Sequence, residues 1–205
     1  IIVMANQKGG VAKTSSTRNL AYSLAELGKK VLAVDFDPQT NLTISFGVAP
    51  AALQETAASL MMKLVMDEAL PEKASYILNI GKVDLLPSKK TLTVAEVNLL
   101  IERKDDCLAK LLAPLRADYD YILVDTGPSL GSLTINAFTA ADEIIIPVDP
   151  ELFALVGLKE LTETISKIKQ NLNPKVEIIG ILFTKCSKRT TLYLSLIHIS
   201  EPTRL

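Results

Sequence analysis

Short, continuous runs of apolar residues recur along the chain and alternate with longer segments whose apolar residues have helical spacing. Continuous apolar runs are typical of parallel strands that are buried on both faces of a sheet. The predicted strands are 1–5, 31–35, 121–125, 143–148 and 176–183, with shorter candidates at 76–80 and 83–86. Strands that alternate with helices predict an α/β fold, a doubly wound, mainly parallel sheet with helices on both faces.

Helical spacing predicts five helices, and the third of them has a charged interruption at 102–106. They are 13–27, 53–69, 92–115, 133–141 and 155–172. The first helix is expected to bury one face, which is formed by Leu20, Ala21, Leu24 and Leu27. Gly28 follows this helix in the position of a C-cap. Gly47 and Pro50 predict that 40–50 form a loop.

The composition is that of an ordinary globular protein, since 48% of the 205 residues are hydrophobic and 22% are charged. The net charge of −1 gives the whole chain no electrostatic signature for nucleic acid, so any contact with DNA needs a local basic patch. Cys107 and Cys186 lie far apart, which favours reduced intracellular thiols over a disulfide or a metal site. No apolar run has the length of a membrane span, and no basic-then-apolar leader is visible. We expect a soluble cytoplasmic domain with no membrane partner.

A Gly-rich turn, residues 6–14, lies between the first strand and the first helix. Backbone N–H groups of such a turn can surround an anion, and the helix N-terminus adds partial positive charge. Lys13 would reach the β- and γ-phosphates, and the Thr14 hydroxyl would ligate Mg²⁺. The common phosphate-loop pattern has Gly before this lysine, whereas Ala12 stands here, and a second lysine, Lys8, opens the loop.

Aspartates follow two of the predicted strands, at the sheet edge where ligands of open α/β sheets bind. Asp125 ends an apolar strand, and Asp35 and Asp37 end another. Each aspartate alone is more often a turn or N-cap residue. Beside a phosphate loop, however, a close pair of carboxylates favours a metal ion or an attacking water. Lys8 is either a solvated loop lysine or a source of positive charge for the transition state.

Several of these segments together resemble the ParA/MinD ATPases. Residues 8–14 match their deviant Walker A motif, KGGxxK[ST], in which the position of Ala12 is free. Residues 35–43 are similar to the segment after the second strand of ParA/Soj proteins, 125–143 to their Walker B strand and next helix, and 147–155 to the ParA branch. The resemblance covers roughly 1–190 and identifies the chain as a ParA/Soj-type partition ATPase.

This resemblance implies an ATPase that forms a homodimer with ATP and Mg²⁺ between its subunits. It implies that Lys8 crosses to the partner's phosphates, that Asp37 positions the attacking water, and that Asp125 holds Mg²⁺ through water. Lys8, Lys13 and Asp37 are then the expected catalytic residues, and Thr14, Asp37 and Asp125 the expected metal site. The expected nucleotide-binding residues are Lys8, Gly9, Gly10, Val11, Ala12, Lys13, Thr14 and Ser15.

The resemblance also implies that the ATP dimer binds DNA without sequence preference and that a ParB-like partner protein stimulates hydrolysis. The chain would then be nucleoid-associated and would partition plasmids or chromosomes. A MinD-like positioning ATPase is an alternative that requires a C-terminal amphipathic helix, which is not visible. A nucleotide-binding module without hydrolysis, or an inactive fragment, is the other alternative.

The end of the chain departs from the ParA pattern. We expect 1–193 to form the ATPase domain without its C-terminal part, and 194–205 to be a non-native tail that resembles a translated sequencing adapter. His198 lies in this tail and is given no role. Lys185, Lys188 and Arg189 are either the start of a DNA-binding patch or a solvated loop.

Overall fold

The computed structural model describes residues 1–150 and 154–186. Within them, seven strands form one sheet in the order β3-β4-β2-β5-β1-β6-β7. The strands are β1 (Ile2–Met4), β2 (Val31–Phe36), β3 (Leu78–Ile80), β4 (Val83–Leu86), β5 (Tyr121–Thr126), β6 (Glu143–Val148) and β7 (Glu177–Phe183). Neighbouring strands are parallel except β3 and β4, which are antiparallel. The predicted strands and the mainly parallel sheet are confirmed.

Seven α-helices occur in the same residues, and they cover both faces of the sheet. They are α1 (Lys13–Glu26), α2 (Asn41–Ser45), α3 (Ala57–Val65), α4 (Leu92–Glu102), α5 (Cys107–Leu112), α6 (Ser132–Ala140) and α7 (Ala154–Asn171). Alternate residues of β2 point to opposite faces, because a strand has a period of two. Val31 and Ala33 pack with α1 and α2, while Leu32 and Val34 pack in the larger cluster with the other helices.

The predicted loop at 40–50 was wrong in part, because it contains helix α2. A tertiary contact fixes this short helix: the buried carboxylate of Asp35 accepts hydrogen bonds from Thr43 N at 2.8 Å and from Thr43 Oγ1 at 2.6 Å. A five-residue helix has too few turns to show periodicity in the sequence. The contact therefore determines an element that the local pattern does not predict.

The predicted buried face of α1 was also wrong in part. Leu27 is 75% exposed, whereas Lys13, Thr17, Ala21 and Ala25 are the buried residues of the helix. The helix is rotated so that its small and polar residues lie against the sheet, where Lys13 and Thr17 make hydrogen bonds near the phosphate loop. Gly28 has φ 79°, as a C-cap glycine requires.

The long helical segment predicted at 92–115 is two helices, α4 and α5, separated at the charged interruption. Arg103 ends α4 in the left-handed conformation with φ 52°. The predicted helix 53–69 is shorter in the structure, because a capping box of Thr56 and Ser59 starts α3. In the part of the chain that is described, no helix is both long and apolar enough to cross a membrane. The predicted tail, His198, Lys188 and Arg189 lie outside the described residues.

Candidate nucleotide-binding site

The phosphate loop connects β1 directly to α1, and the side chain of Asn6 closes it. Asn6 Nδ2 donates to Pro147 O at 2.6 Å, and Asn6 Oδ1 accepts from Lys8 N at 2.9 Å. Gly10 and Ala12 both have left-handed backbones, with φ of 75° and 65°. Only glycine adopts this conformation without a steric cost, which explains why the common pattern has Gly at the position of Ala12.

Lys13 is buried, with 8% exposure, and its side chain turns back over the loop. Its Nζ donates to Asn6 O at 2.8 Å and to Lys8 O at 3.3 Å. Burial lowers the pKa of Lys13, while the nearby charges of Asp125 and Asp37 oppose this change. The ammonium is therefore held at the loop by carbonyl oxygens, which phosphate oxygens can replace.

Thr14 and Asp125 meet at the N-terminus of α1. Thr14 Oγ1 donates to Asp125 Oδ2 at 2.6 Å, and Thr17 Oγ1 lies 3.4 Å from Asp125 Oδ1. Burial, together with the neighbouring Asp35 and Asp37, raises the pKa of Asp125 to about 7 against the opposing effects of the hydrogen bond from Thr14 and the charge of Lys13. A buried carboxylate beside a hydroxyl is an oxygen donor set that fits Mg²⁺, whose charge would stabilise the ionised form.

In the described residues, no group of three or more His, Cys, Asp or Glu side chains is arranged to hold a metal ion. Mg²⁺ in nucleotide sites uses one or two protein oxygens together with phosphate oxygens and water. Thr14 and Asp125 are the two side chains that this geometry offers to it.

The two aspartates at the carboxyl end of β2 have different environments. Asp35 is fully buried beneath α2, and burial raises its pKa to about 6 against the hydrogen bonds from Thr43. Asp37 lies at the cleft, where its Oδ1 accepts from Gln39 N at 2.9 Å. Gly127 packs against Asp37, so that a Cβ at this glycine would lie 3.2 Å from Asp37 Oδ1. The sequence grouped the two carboxylates, but the structure places only Asp37 at the cleft surface.

A cleft of about 490 Å³ lies above the phosphate loop at the carboxyl ends of the strands. Of the predicted residues it is lined by Gly9, Gly10, Ala12, Lys13, Thr14, Ser15 and Asp37. Val11 is buried in the protein, so it can offer only its backbone to the cleft, and Asp125 lies behind Thr14. Lys8 is half-buried at the start of the loop and is not among the residues that line the cleft.

Four further residues line this cleft that the sequence did not assign to the site: Gln39, Asn41, Pro128 and Lys185. The first three lie in segments whose resemblance to ParA proteins could have indicated them. Lys185 had no such signal. It follows β7 at the end of the described chain and reaches the cleft only because β7 lies beside β6 at one edge of the sheet.

A second cleft, of about 500 Å³, lies at the amino ends of β2 and β5. Two of its four lysines are paired with acidic side chains: Lys73 Nζ lies 2.8 Å from Asp118 Oδ2, and Lys82 Nζ lies 2.8 Å from Glu26 Oε1. Among the described residues that line this cleft there is no glycine, so it lacks a loop of backbone N–H groups of the kind that binds a polyphosphate. The cleft above the phosphate loop is therefore the better candidate for a nucleotide site.

The parallel sheet, the glycine-containing loop after β1 and the Thr14–Asp125 pair define the class of P-loop NTPases. The family described as AAA domain (AAA_31) matches residues 1–178, and the chain belongs to this family. Sporulation initiation inhibitor protein Soj of Bacillus subtilis is 37% identical over 199 residues, which are 97% of this chain and 77% of Soj. The predicted resemblance to ParA/Soj proteins is confirmed.

Other relatives are consistent with this family. An uncharacterised protein of Mycobacterium tuberculosis is 42% identical over 193 residues, and the chain covers 59% of its length. Cobyrinic acid a,c-diamide synthase from Mycobacterium smegmatis, solved with ADP and magnesium, has TM-score 0.88 at 35% identity and is matched over 100% of this chain and 82% of its own. A plasmid partition protein from Borrelia burgdorferi has TM-score 0.79 at 30% identity, over 97% and 83%.

Proposed function

We propose that this chain is the nucleotide-binding part of a ParA-type partition or positioning ATPase. The observation that carries the proposal is the convergence of Lys13, Thr14, Asp37 and Asp125 at one cleft, from three different strand ends. Relatives named for chromosome partitioning and a plasmid partition protein support the choice of process. The structural neighbour with ADP and magnesium supports ATP and Mg²⁺ as the cofactors.

Each of these residues has a separate task in the proposed reaction. The backbone N–H groups of the loop and the ammonium of Lys13 bind the β- and γ-phosphates and balance their charge. Thr14 and Asp125 hold Mg²⁺, which when bound neutralises charge on the phosphate oxygens. Asp37 orients the attacking water, because its carboxylate is fixed by Gln39 N and supported by Gly127 at the cleft surface.

Lys8 is proposed to act between two copies of the chain. It opens the loop, and the resemblance assigns it to the phosphates of the partner subunit in an ATP-bound homodimer. In the same proposal the dimer binds DNA without sequence preference, associates with the nucleoid, and is stimulated by a ParB-like partner. We propose 1–193 as the ATPase domain and 194–205 as a non-native tail.

ATP turnover of the full-length gene product, measured with and without DNA and the partner protein, tests this function. We expect weak turnover that both additions increase. Lys13→Ala should abolish nucleotide binding, because it removes the buried ammonium at the loop. Asp37→Ala should still bind ATP and form dimers but should not hydrolyse it. Bound ATP without turnover in every condition would favour a nucleotide-binding module, and wild-type turnover in Asp37→Ala would refute the role of Asp37.

A further inference from the structure

Lys185 is a cationic side chain at the nucleotide cleft that neither the phosphate-loop motif nor the Walker B segment explains. It lines the same cleft as Lys13 and Thr14. Its Nζ lies 3.9 Å from the position that a Cβ on Gly10 would occupy, so it extends over the middle of the phosphate loop. Because β2 and β7 lie on opposite sides of β1 in the sheet, this lysine adds positive charge on the side of the cleft away from Asp37.

The backbone around Lys185 is fixed to the loop. Thr184 Oγ1 donates to Val11 O at 3.1 Å, and Thr184 N donates to Val148 O at 2.8 Å. These bonds tie the segment after β7 both to the phosphate loop and to the end of β6. Lys185 itself has φ 54°, a conformation that is uncommon for a residue other than glycine and is found where the surrounding structure imposes it.

Asp149 is the acidic partner of Lys185. Lys185 Nζ lies 3.7 Å from Asp149 Oδ2, which is within ion-pair distance but longer than a hydrogen bond. The Asp149 side chain is 12% exposed and so is largely enclosed by the protein, whereas Lys185 is 59% exposed and can reorient. Asp149 therefore keeps the ammonium near the loop without using its hydrogen-bond donors.

We infer that Lys185 is an additional phosphate-binding residue for the nucleotide and that Asp149 positions it. The inference rests on the proposed function, because it concerns the same cleft. The Lys185 ammonium donates to phosphate oxygens over Gly10, where the glycine leaves room for both. Because Thr184 is bonded to Val11, nucleotide binding also stabilises the connection between the phosphate loop and the segment that follows β7.

ATP affinity of the full chain, measured by calorimetry at low and high salt, tests the inference. We expect Lys185→Met to bind ATP about tenfold more weakly at low salt, with a smaller loss at high salt, because a half-exposed charge contact is screened. Lys185→Arg should restore most of the affinity. Lys175→Met is the matched control. Lys175 is exposed and precedes β7, so it lies at the end of this strand that is far from the cleft, and its loss should leave ATP affinity unchanged.

The Asp149→Asn variant distinguishes a phosphate-binding role from a tether between segments. In the wild-type background it should weaken ATP binding, because Lys185 loses its positioning partner. In the Lys185→Met background it should strengthen ATP binding, because the unpaired Asp149 carboxylate then repels the phosphates. A tether alone predicts no such change of sign.

Two results would overturn the inference. One is an ATP affinity of Lys185→Met equal to that of the wild type, and the other is a loss that is the same at both salt concentrations. Lys13→Ala separates this failure from that of the proposed function. If the wild type binds ATP and Lys13→Ala does not, the proposed nucleotide site is supported and only the phosphate-binding role of Lys185 is refuted. If the wild type binds no ATP, both proposals fail.

Discussion

The residue before Lys13 shows how one side chain can depart from a motif at a measurable cost. Ala12 has φ 65° and ψ 27°, where a Cβ costs roughly 1 kcal/mol relative to glycine. Ala12 also provides the carbonyl that accepts from Ser16 N at 2.9 Å, so its conformation sets the start of α1. The backbone at this residue therefore links the shape of the loop to the direction of the helix.

We expect Ala12→Val to lower the free energy of unfolding by about 1 kcal/mol or more, because a β-branched side chain is strained in the left-handed region. Ala12→Gly is the matched control. It should stay within about 1 kcal/mol of the wild type, since the relief of strain is offset by the larger entropy of the unfolded chain. Urea unfolding measures both variants. Equal stability of the Val and Gly variants would contradict the left-handed conformation of Ala12.

Asp35 gives the stability of the fold a pH dependence. Its pKa is raised from 3.8 to about 6, so the folded protein binds the proton more tightly than the unfolded chain does. The resulting stabilisation is fully present below pH 3.8 and is lost as the pH rises through 6. Asp35→Asn should remove up to about 3 kcal/mol of this pH-dependent change.

Urea unfolding of the wild type and of Asp35→Asn, between pH 4 and 7 in metal-free buffer, measures this contribution. The wild type should lose stability more steeply with rising pH than the variant. Asp125 contributes to the loss of stability with rising pH in both proteins, because burial also raises its pKa, to about 7. Parallel curves for the two proteins would show that the Asp35 carboxyl is not perturbed.

At the scale of the element, α2 is the best example of a helix held by one buried network. Thr43 Oγ1 donates to Asp35 Oδ2 and accepts from Ser88 N at 2.9 Å. Ser88 Oγ in turn donates to Asp37 O at 3.1 Å. The network joins α2, the end of β2 and the segment after β4, and it supports the backbone of Asp37 from beneath.

Thr43→Val should lower the free energy of unfolding by about 2 kcal/mol, because it leaves a buried carboxylate and a buried N–H short of a hydrogen bond. ATP turnover should fall as well, since the backbone support of Asp37 is weakened. Thr164→Val on α7 is the control: Thr164 is half-buried, and its hydroxyl donates an exposed hydrogen bond to Glu160 O of its own helix. Its effect on stability should stay within about 0.5 kcal/mol. Indistinguishable melting of the two variants would argue against this network.

The elements that the sequence predicted are those whose signal is local. Strands β2, β5 and β6 are continuous apolar runs, and the break between α4 and α5 follows a charged segment, so short-range patterns suffice for both. Helix α2 and the orientation of α1 depend on tertiary contacts, with Asp35 and Ser88 for α2 and with the sheet for α1, and the sequence pattern could not predict them. The motif residues were found through their spacing, whereas Lys185 reaches the cleft only through the strand order.

At the scale of the whole molecule, the candidate site lies at the carboxyl ends of the parallel strands. Its nucleotide is proposed to be shared by two copies of the chain. Lys8→Ala should retain ATP binding, which Lys13 supports, but should not form the ATP-dependent dimer. Light scattering of the full-length protein with a non-hydrolysable ATP analogue and Mg²⁺ measures the mass. Lys29→Ala is the control, because Lys29 is exposed and precedes β2, at the amino ends of the strands. This variant should dimerise like the wild type. A dimer of Lys8→Ala with unchanged affinity would rule out the crossing role of Lys8.

Strand β1 also determines when the nucleotide site can form during synthesis. It pairs with β5 on one side and β6 on the other, and both strands lie far along the chain from it. At about 5–20 residues per second, the ribosome takes on the order of 10 s to produce the later strands after the first. Until then the strand that carries the phosphate loop has no sheet to join. The phosphate loop is therefore synthesised before most of this sheet but is ordered only after β5 and β6 have joined β1.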